Sequence, residues 1–211
     1  MIELLLVRHG NTFAPGDRVV WVGKGQDLPL VESGRAQALT LAATLASSGW
    51  RPTAALSGGL SRQVEHLRLA TGGAPPASRI EALDEVDYGD WGGRTTEEIV
   101  AAHGDAAVRG WNERSEWPSD AGWPESLEAV RARVARFAEE VSSGRHGPRV
   151  LVCSSNGLLR WFLGLVPGAL EDAVEAGTFK VRTGHVGRME WDGEGRWRVC
   201  SWNQPPDAPI R

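Results

Sequence analysis

Cysteine is scarce in this chain of 211 residues: there are two, Cys153 and Cys200, and no CxxC pair. That is not the composition of a disulfide framework or a zinc-finger-type site. Basic excess is lacking too. Lys and Arg number 23 against 27 Asp and Glu, for a formal net charge of −4. Neither a nucleic acid nor an anionic membrane surface is therefore an expected partner, because both need a broad basic field. No apolar run approaches the roughly 18 residues of a membrane span. The opening Met1–Arg8 stretch is too short for a signal peptide and carries Glu3. Two cysteines and no leader fit a reducing cytoplasm, the expected compartment. The five histidines, at 9, 66, 103, 146 and 185, form no HExxH or other metal spacing. Tyrosine (one) and phenylalanine (four) are few beside ten tryptophans.

What is there reads as one ordinary globular domain, 41% apolar and 24% charged. Ile2 to Val7 is a continuous apolar run, the pattern of a strand buried on both faces. Residues 13–31 read as loop, then Glu32 to Ser48 as an Ala- and Leu-rich helix. Thr53 to Ser57 is a second strand, and Leu60 to Ala70 a helix with Leu60, Val64 and Leu67 on one stripe. Arg79 to Leu83 is read as a third strand. Residues 84–123 look irregular, with one short helix opened by the capping-box spacing of Thr95 and Glu98. Glu125 to Val141 is a long helix. Arg149 to Cys153 is a buried strand leading into a helix bearing Leu158, Leu159, Trp161 and Phe162. Residues 186–191 and 196–202 alternate around Asp192-Gly193-Glu194-Gly195, a hairpin signal. Alternating strands and helices predict an α/β fold, a three-layer α/β/α sandwich. Its sheet is expected to be mainly parallel with an antiparallel C-terminal edge. Residues 1–211 form a single domain in this reading, with a cap or insert region at about 84–123.

Three strand ends combine a tight turn with groups suited to an anion. Arg8-His9-Gly10-Asn11-Thr12 offers a forked cation, an imidazole, close backbone approach and a hydroxyl. Ser57-Gly58-Gly59-Leu60-Ser61-Arg62 opens a helix with another Arg. Ser154-Ser155-Asn156-Gly157 is again a strand-to-helix turn, and helix starts favour anions. Three such turns on successive strands point to one phosphate pocket.

Leu6-Val7-Arg8-His9-Gly10-Asn11-Thr12 resembles the RHG signature of the histidine phosphatase superfamily, which includes the cofactor-dependent phosphoglycerate mutases. The resemblance continues in order along nearly the whole chain. Asp27-Leu28-Pro29-Leu30 with Gly34, Gln37 and Ala38 is similar to a second family stretch. Ser57, Leu60 and Arg62 match a third, with one extra residue in the spacing. Leu83 and Glu85 with Gly89 and Trp91 match a fourth, and Pro124-Glu125-Ser126 a fifth. The resemblance implies that His9 is phosphorylated and that Arg8 and Arg62 clamp the phosphoryl oxygens. It implies that Glu85 protonates the leaving oxygen and activates water. Thr12, Asn11, Ser155 and Asn156 are further phosphate-binding candidates. Arginines that carry the phosphoryl charge need no metal, so neither metal nor cofactor is expected.

The pattern breaks at the fourth strand. The family's second His falls at Ser155, counting back from Arg160, and Asn156 replaces the following Gly. A Ser hydroxyl donates a hydrogen bond but no charge, and one lost donor typically costs roughly 10² to 10³ in rate. Asn11 and Gly92 each replace a family Glu. His185, in Thr183-Gly184-His185, supplies the missing imidazole if its ring turns inward; the alternative is a solvent-facing ring at a strand start. Arg160 reads as a residue tying its helix to a neighbour. His66, His103 and His146 are assigned to no site. The activity implied is hydrolysis of a small phosphorylated metabolite through phospho-His9. The alternatives are a catalytically impaired phospho-ligand binder or regulatory protein and, lower, mutase-type transfer. Trp21, Trp91, Trp111, Trp117 and Trp123 are expected in part to line a bulky, partly apolar substrate entrance. General frequency makes a homodimer the expected assembly.

Overall fold

The computed structural model describes residues 1–210. Six strands form one mixed sheet in the order β3-β2-β4-β1-β5-β6. These are β1 (Ile2–Arg8), β2 (Ala54–Ser57), β3 (Ala77–Arg79), β4 (Arg149–Ser154), β5 (Val186–Trp191) and β6 (Trp197–Gln204). The first four are parallel, and β5 and β6 add the antiparallel edge. The helices are α1 (Glu32–Ser48), α2 (Ser61–Thr71), α3 (Thr96–His103), α4 (Asp105–Arg114), α5 (Leu127–Ser142), α6 (Asn156–Leu159) and α7 (Ala169–Glu175).

The period of two along β1 divides its residues between two cores. Leu5 and Val7 pack with Leu41 and Leu45 of α1 and Leu67 of α2. Leu4 and Leu6 face the other way, toward Val130, Val134 and Phe137 of α5 and the tryptophan-rich region. A strand covered on both faces must be apolar at every position, which is why Ile2 to Val7 reads as an unbroken run. No described helix is long and apolar enough to cross a membrane.

Three local expectations need correction. The third strand lies at Ala77–Arg79, and residues 81–83 form a 3₁₀ turn instead. The 84–123 region holds two helices rather than one, because Gly104 at φ +82° ends α3 and restarts the chain as α4. Val64 is exposed, so only part of the expected α2 stripe is buried. The Thr95 capping box does open α3. The Glu98 N–H donates to the Thr95 hydroxyl at 3.3 Å, and the Thr95 N–H donates to the Glu98 carboxylate at 2.8 Å.

Candidate active site

Because β2, β4 and β1 are parallel neighbours, the three anion-suited turns emerge at one edge of the sheet. A cavity of about 370 Å³ opens there. Arg8, His9, Asn11, Thr12, Arg62, Glu85, Asn156 and Arg160 all line it.

His9 continues the β1–β4 ladder, its N–H donating to the Ser154 carbonyl at 3.0 Å. Its ring Nδ1 lies 2.8 Å from the Gly10 carbonyl oxygen, which can only accept. The proton therefore sits on Nδ1, and Nε2 keeps its lone pair. Arg62 Nε donates to that Nε2 at 3.2 Å. Burial, then the Arg8 and Arg62 charges, hold the imidazole well below its ordinary pKa. The ring is thus neutral, with its unprotonated nitrogen accepting from Arg62. The turn is tightly fixed. The Gly10 N–H donates to His66 Nδ1 at 3.0 Å, and a Cβ on Gly10 would overlap the Gly34 backbone. Burial lowers His66 to about 4.

Arg62 is held by backbone as well. Its two terminal nitrogens donate to the Gln26 and Gly23 carbonyls at 2.8 Å each. Asp27 caps its helix, accepting from the Ser61 N–H at 2.7 Å and the Ser61 hydroxyl at 2.6 Å. Arg8 donates to the Val181 carbonyl at 2.9 Å. Arg160 is fully buried, stacked 3.8 Å from the centre of the Trp111 ring, and donates to the Trp111 carbonyl at 2.9 Å. Burial lowers it to about 10, which leaves it charged at neutral pH. Arg8, Arg62 and Arg160 are absent from every ion pair among the described residues. Guanidiniums held by neutral acceptors, with no carboxylate paired to them, keep a net charge for an incoming anion.

Glu85 is the one carboxylate lining the cavity. Its oxygens accept from Val86 N at 2.8 Å, Leu158 N at 3.0 Å, Gly157 N at 3.2 Å and the Tyr88 hydroxyl at 3.4 Å. A Cβ on Gly157 would stand 2.6 Å from Glu85 Oε1, so only glycine lets that backbone reach the carboxylate. The 3₁₀ turn leading to Glu85 is anchored by Arg133, which donates to the Ala82 and Asp84 carbonyls.

The structure does not bring every candidate to the cavity. The Ser155 hydroxyl is buried and accepts from Gln63 Nε2 at 2.9 Å, and Ser155 is not among the lining residues. His185 turns its ring to β6, with Nδ1 at 3.0 Å from the Asn203 carbonyl, and does not line the cavity either. Asn11 does, in a network with Ser33, Gln37 and Thr183. Asn156 accepts from Val181 N at 3.0 Å. Arg160 does tie its helix to a neighbour, through the Trp111 carbonyl of α4; what the sequence reading misses is that it also lines the cavity. His66, read as an ordinary mid-helix histidine, supports the Gly10 turn. Of the five entrance tryptophans, Trp21 and Trp111 line the cavity. Trp91, Trp117 and Trp123 stand behind them, edge to face at 4.8–5.3 Å between ring centres. Among the described residues no group of His, Cys, Asp and Glu is arranged to hold a metal ion.

Comparison with known proteins places this geometry. The chain is 31% identical over 193 residues to a 2,3-bisphosphoglycerate-dependent phosphoglycerate mutase of Methylobacterium radiotolerans, covering 86% of this chain and 85% of the mutase. It superposes on the mycobacterial glucosyl-3-phosphoglycerate phosphatase solved with inorganic phosphate, with a TM-score of 0.77 at 26% identity, over 99% of this chain and 100% of that one. A putative alpha-ribazole-5'-P phosphatase from Escherichia coli shares the fold, with a TM-score of 0.80 at 24% identity, over 100% of this chain and 98% of that one. Residues 4–205 match the family profile itself, and the chain belongs to the histidine phosphatase superfamily, branch 1.

Proposed function

We propose that this protein hydrolyses a small phosphomonoester through a phosphohistidine on His9. The observation that carries this reading is the neutral His9 ring, its unprotonated Nε2 accepting from Arg62 in a cavity that Arg8 and Glu85 also line. In the first step Nε2 attacks phosphorus, the P–O bond to the leaving alcohol breaks, and Glu85 gives that oxygen its proton. In the second step water attacks the phosphohistidine and passes a proton to Glu85. The P–N bond then breaks, releasing inorganic phosphate. Arg8 and Arg62 bind the equatorial oxygens, where the loose transition state concentrates charge. Asn11, Thr12 and Asn156 bound the same cavity and are its neutral donors. The likeness to a phosphatase and to mutases supports phosphoryl chemistry here.

Hydrolysis fits better than mutase transfer. Returning a phosphoryl group to a second position of one substrate asks for a second imidazole above it. Ser155 stands at that position with its hydroxyl engaged by Gln63. The same residue favours a second reading, a phospho-ligand binder without turnover, which predicts thermal stabilisation by phosphate and no product release.

Incubation with p-nitrophenyl phosphate separates them. Wild type is expected to turn over and, when quenched in alkali, to carry an acid-labile phosphoryl group. His9→Ala is expected to lose both, with a rate fall of at least about 10⁴-fold. Turnover that survives in His9→Ala breaks the mechanism, and wild type without turnover favours the binder.

A further inference from the structure

Beyond the phosphoryl end the cavity changes character. Phe13, Val19, Val20, Trp21, Val22 and Trp111 form its outer wall. Val19 to Val22 are four consecutive apolar residues in a loop with no regular structure, and Val19 is 62% exposed. Core packing accounts for Trp21, which lies half-buried against the core, but not for Val19, because a loop residue left this open gains no burial from folding. The wall is nevertheless held in place. Trp21 Nε1 donates to Thr96 Oγ1 at 3.1 Å, and the ring packs edge to face on Tyr88 and Trp91 at 5.3 and 5.1 Å.

The placement of charge points the same way. Three guanidiniums (Arg8, Arg62, Arg160) are the lining cations, and the one acidic lining group, Glu85, is the candidate acid of the phosphoryl end. The outer wall offers a carboxylate on the leaving group no charged partner, and a carboxylate set against those apolar side chains loses hydration that they do not replace. Lys180 donates to Asn112 Oδ1 at 3.0 Å and is not a lining residue.

We infer that the leaving group this site takes is an uncharged, apolar and preferably flat alcohol, seated against Phe13, the 19–22 loop and Trp111, and that carboxylated phosphates such as phosphoglycerates are poor ligands. The inference rests on the phosphatase reading for its kinetic form but not for its binding form.

The test compares alkyl phosphates whose leaving groups need the same acid assistance: benzyl phosphate, glycerol 3-phosphate and 3-phosphoglycerate. The expected kcat/KM falls in that order, with benzyl phosphate ahead of glycerol 3-phosphate by at least about tenfold, the factor that burying a phenyl-sized apolar surface supplies. Val19→Ser, a surface change, should raise KM for benzyl phosphate about two- to threefold and so narrow its lead over glycerol 3-phosphate. Trp21→Ala should erase most of the preference. In parallel, displacement of inorganic phosphate measures binding without chemistry, and benzylphosphonate should bind at least about tenfold more tightly than methylphosphonate. Turnover with 3-phosphoglycerate or glycerol 3-phosphate equal to or better than benzyl phosphate overturns the inference and leaves the phosphatase reading standing. No turnover on any of the three removes the phosphatase reading. The two phosphonates then decide the inference alone, and equal affinities overturn it.

Discussion

Strands β1 and β4 lie side by side and end in step, Arg8 opposite Ser154, yet the turns that follow them carry different chemistry. The end of β1 and its turn present a guanidinium and an imidazole with an unprotonated nitrogen. The β4 turn presents a hydroxyl already engaged by Gln63, and instead spends its backbone: Gly157 and Leu158 both donate to Glu85. One turn carries the candidate nucleophile, and its neighbour orients the candidate acid. The charge that a second imidazole would have brought is also not missing from this side of the cavity, because Arg160 lines it two residues beyond Leu158. A substitution at one position of a paired motif is thus best judged by what its neighbours in space now do.

The strongest way to break this division of labour is at Glu85. Glu85→Gln removes the transferable proton, and its amide nitrogen faces N–H donors that formerly met an oxygen. Turnover of an alkyl phosphate is expected to fall about 10³-fold. The fall on p-nitrophenyl phosphate should be much smaller, because a nitrophenolate leaves without a proton. Steady-state kinetics on the two substrates checks this, and equal losses on both would remove Glu85 from the acid role.

The support of the β1 turn is tested by pH. His66 is buried and neutral, its Nδ1 accepting from Gly10, and burial lowers it from 6.5 to about 4. The unfolded chain therefore binds a proton as pH falls below 6.5, while the folded chain does not until about 4. Stability must drop across that window, and His66 alone accounts for about 3 kcal/mol. His9, lowered by burial and neighbouring cations, pushes in the same direction. In His66→Gln the amide oxygen still accepts the Gly10 N–H. Denaturant unfolding at pH 7 and pH 4 should show the variant losing about 3 kcal/mol less than wild type between them. Identical losses would mean that His66 is not held neutral and that the turn is anchored in another way.

Much of this arrangement is legible in the sequence because it is local. Arg8, His9 and the Gly10 turn are contiguous, and β1 announces its double burial by an unbroken apolar run. Arg62 and Glu85 are legible only through the order of short motifs, since the sequence distance between them says nothing of their meeting. What escapes depends on tertiary direction. His185 follows a turn whose side chains could face the cavity or the sheet edge, and the β6 Asn203 carbonyl decides the matter. Arg160 sits where a helix residue commonly ties two elements together, and only the tertiary contact with Trp111 of α4 sets it on the cavity wall. The two-helix character of residues 96–114 is hidden because α4 starts at Gly104 without a side-chain cap.

The mildest substitution asks the sharpest question about the β4 turn. Ser155→Ala deletes a hydroxyl that is 1% exposed and whose one hydrogen bond comes from Gln63. Gln63 Oε1 already lacks a partner, so the loss leaves the whole buried amide unsatisfied, at a cost of about 1–3 kcal/mol. If Ser155 does no more than seat Gln63, catalysis depends on it weakly, because neither side chain lines the cavity. Turnover of p-nitrophenyl phosphate should then stay within about threefold of wild type while the unfolding midpoint falls, whereas an oxyanion donor lost from the transition state costs about 10² or more. A rate loss of that size with stability intact would put the hydroxyl on the phosphoryl group in the working enzyme. The two turns would then share the chemistry rather than divide it.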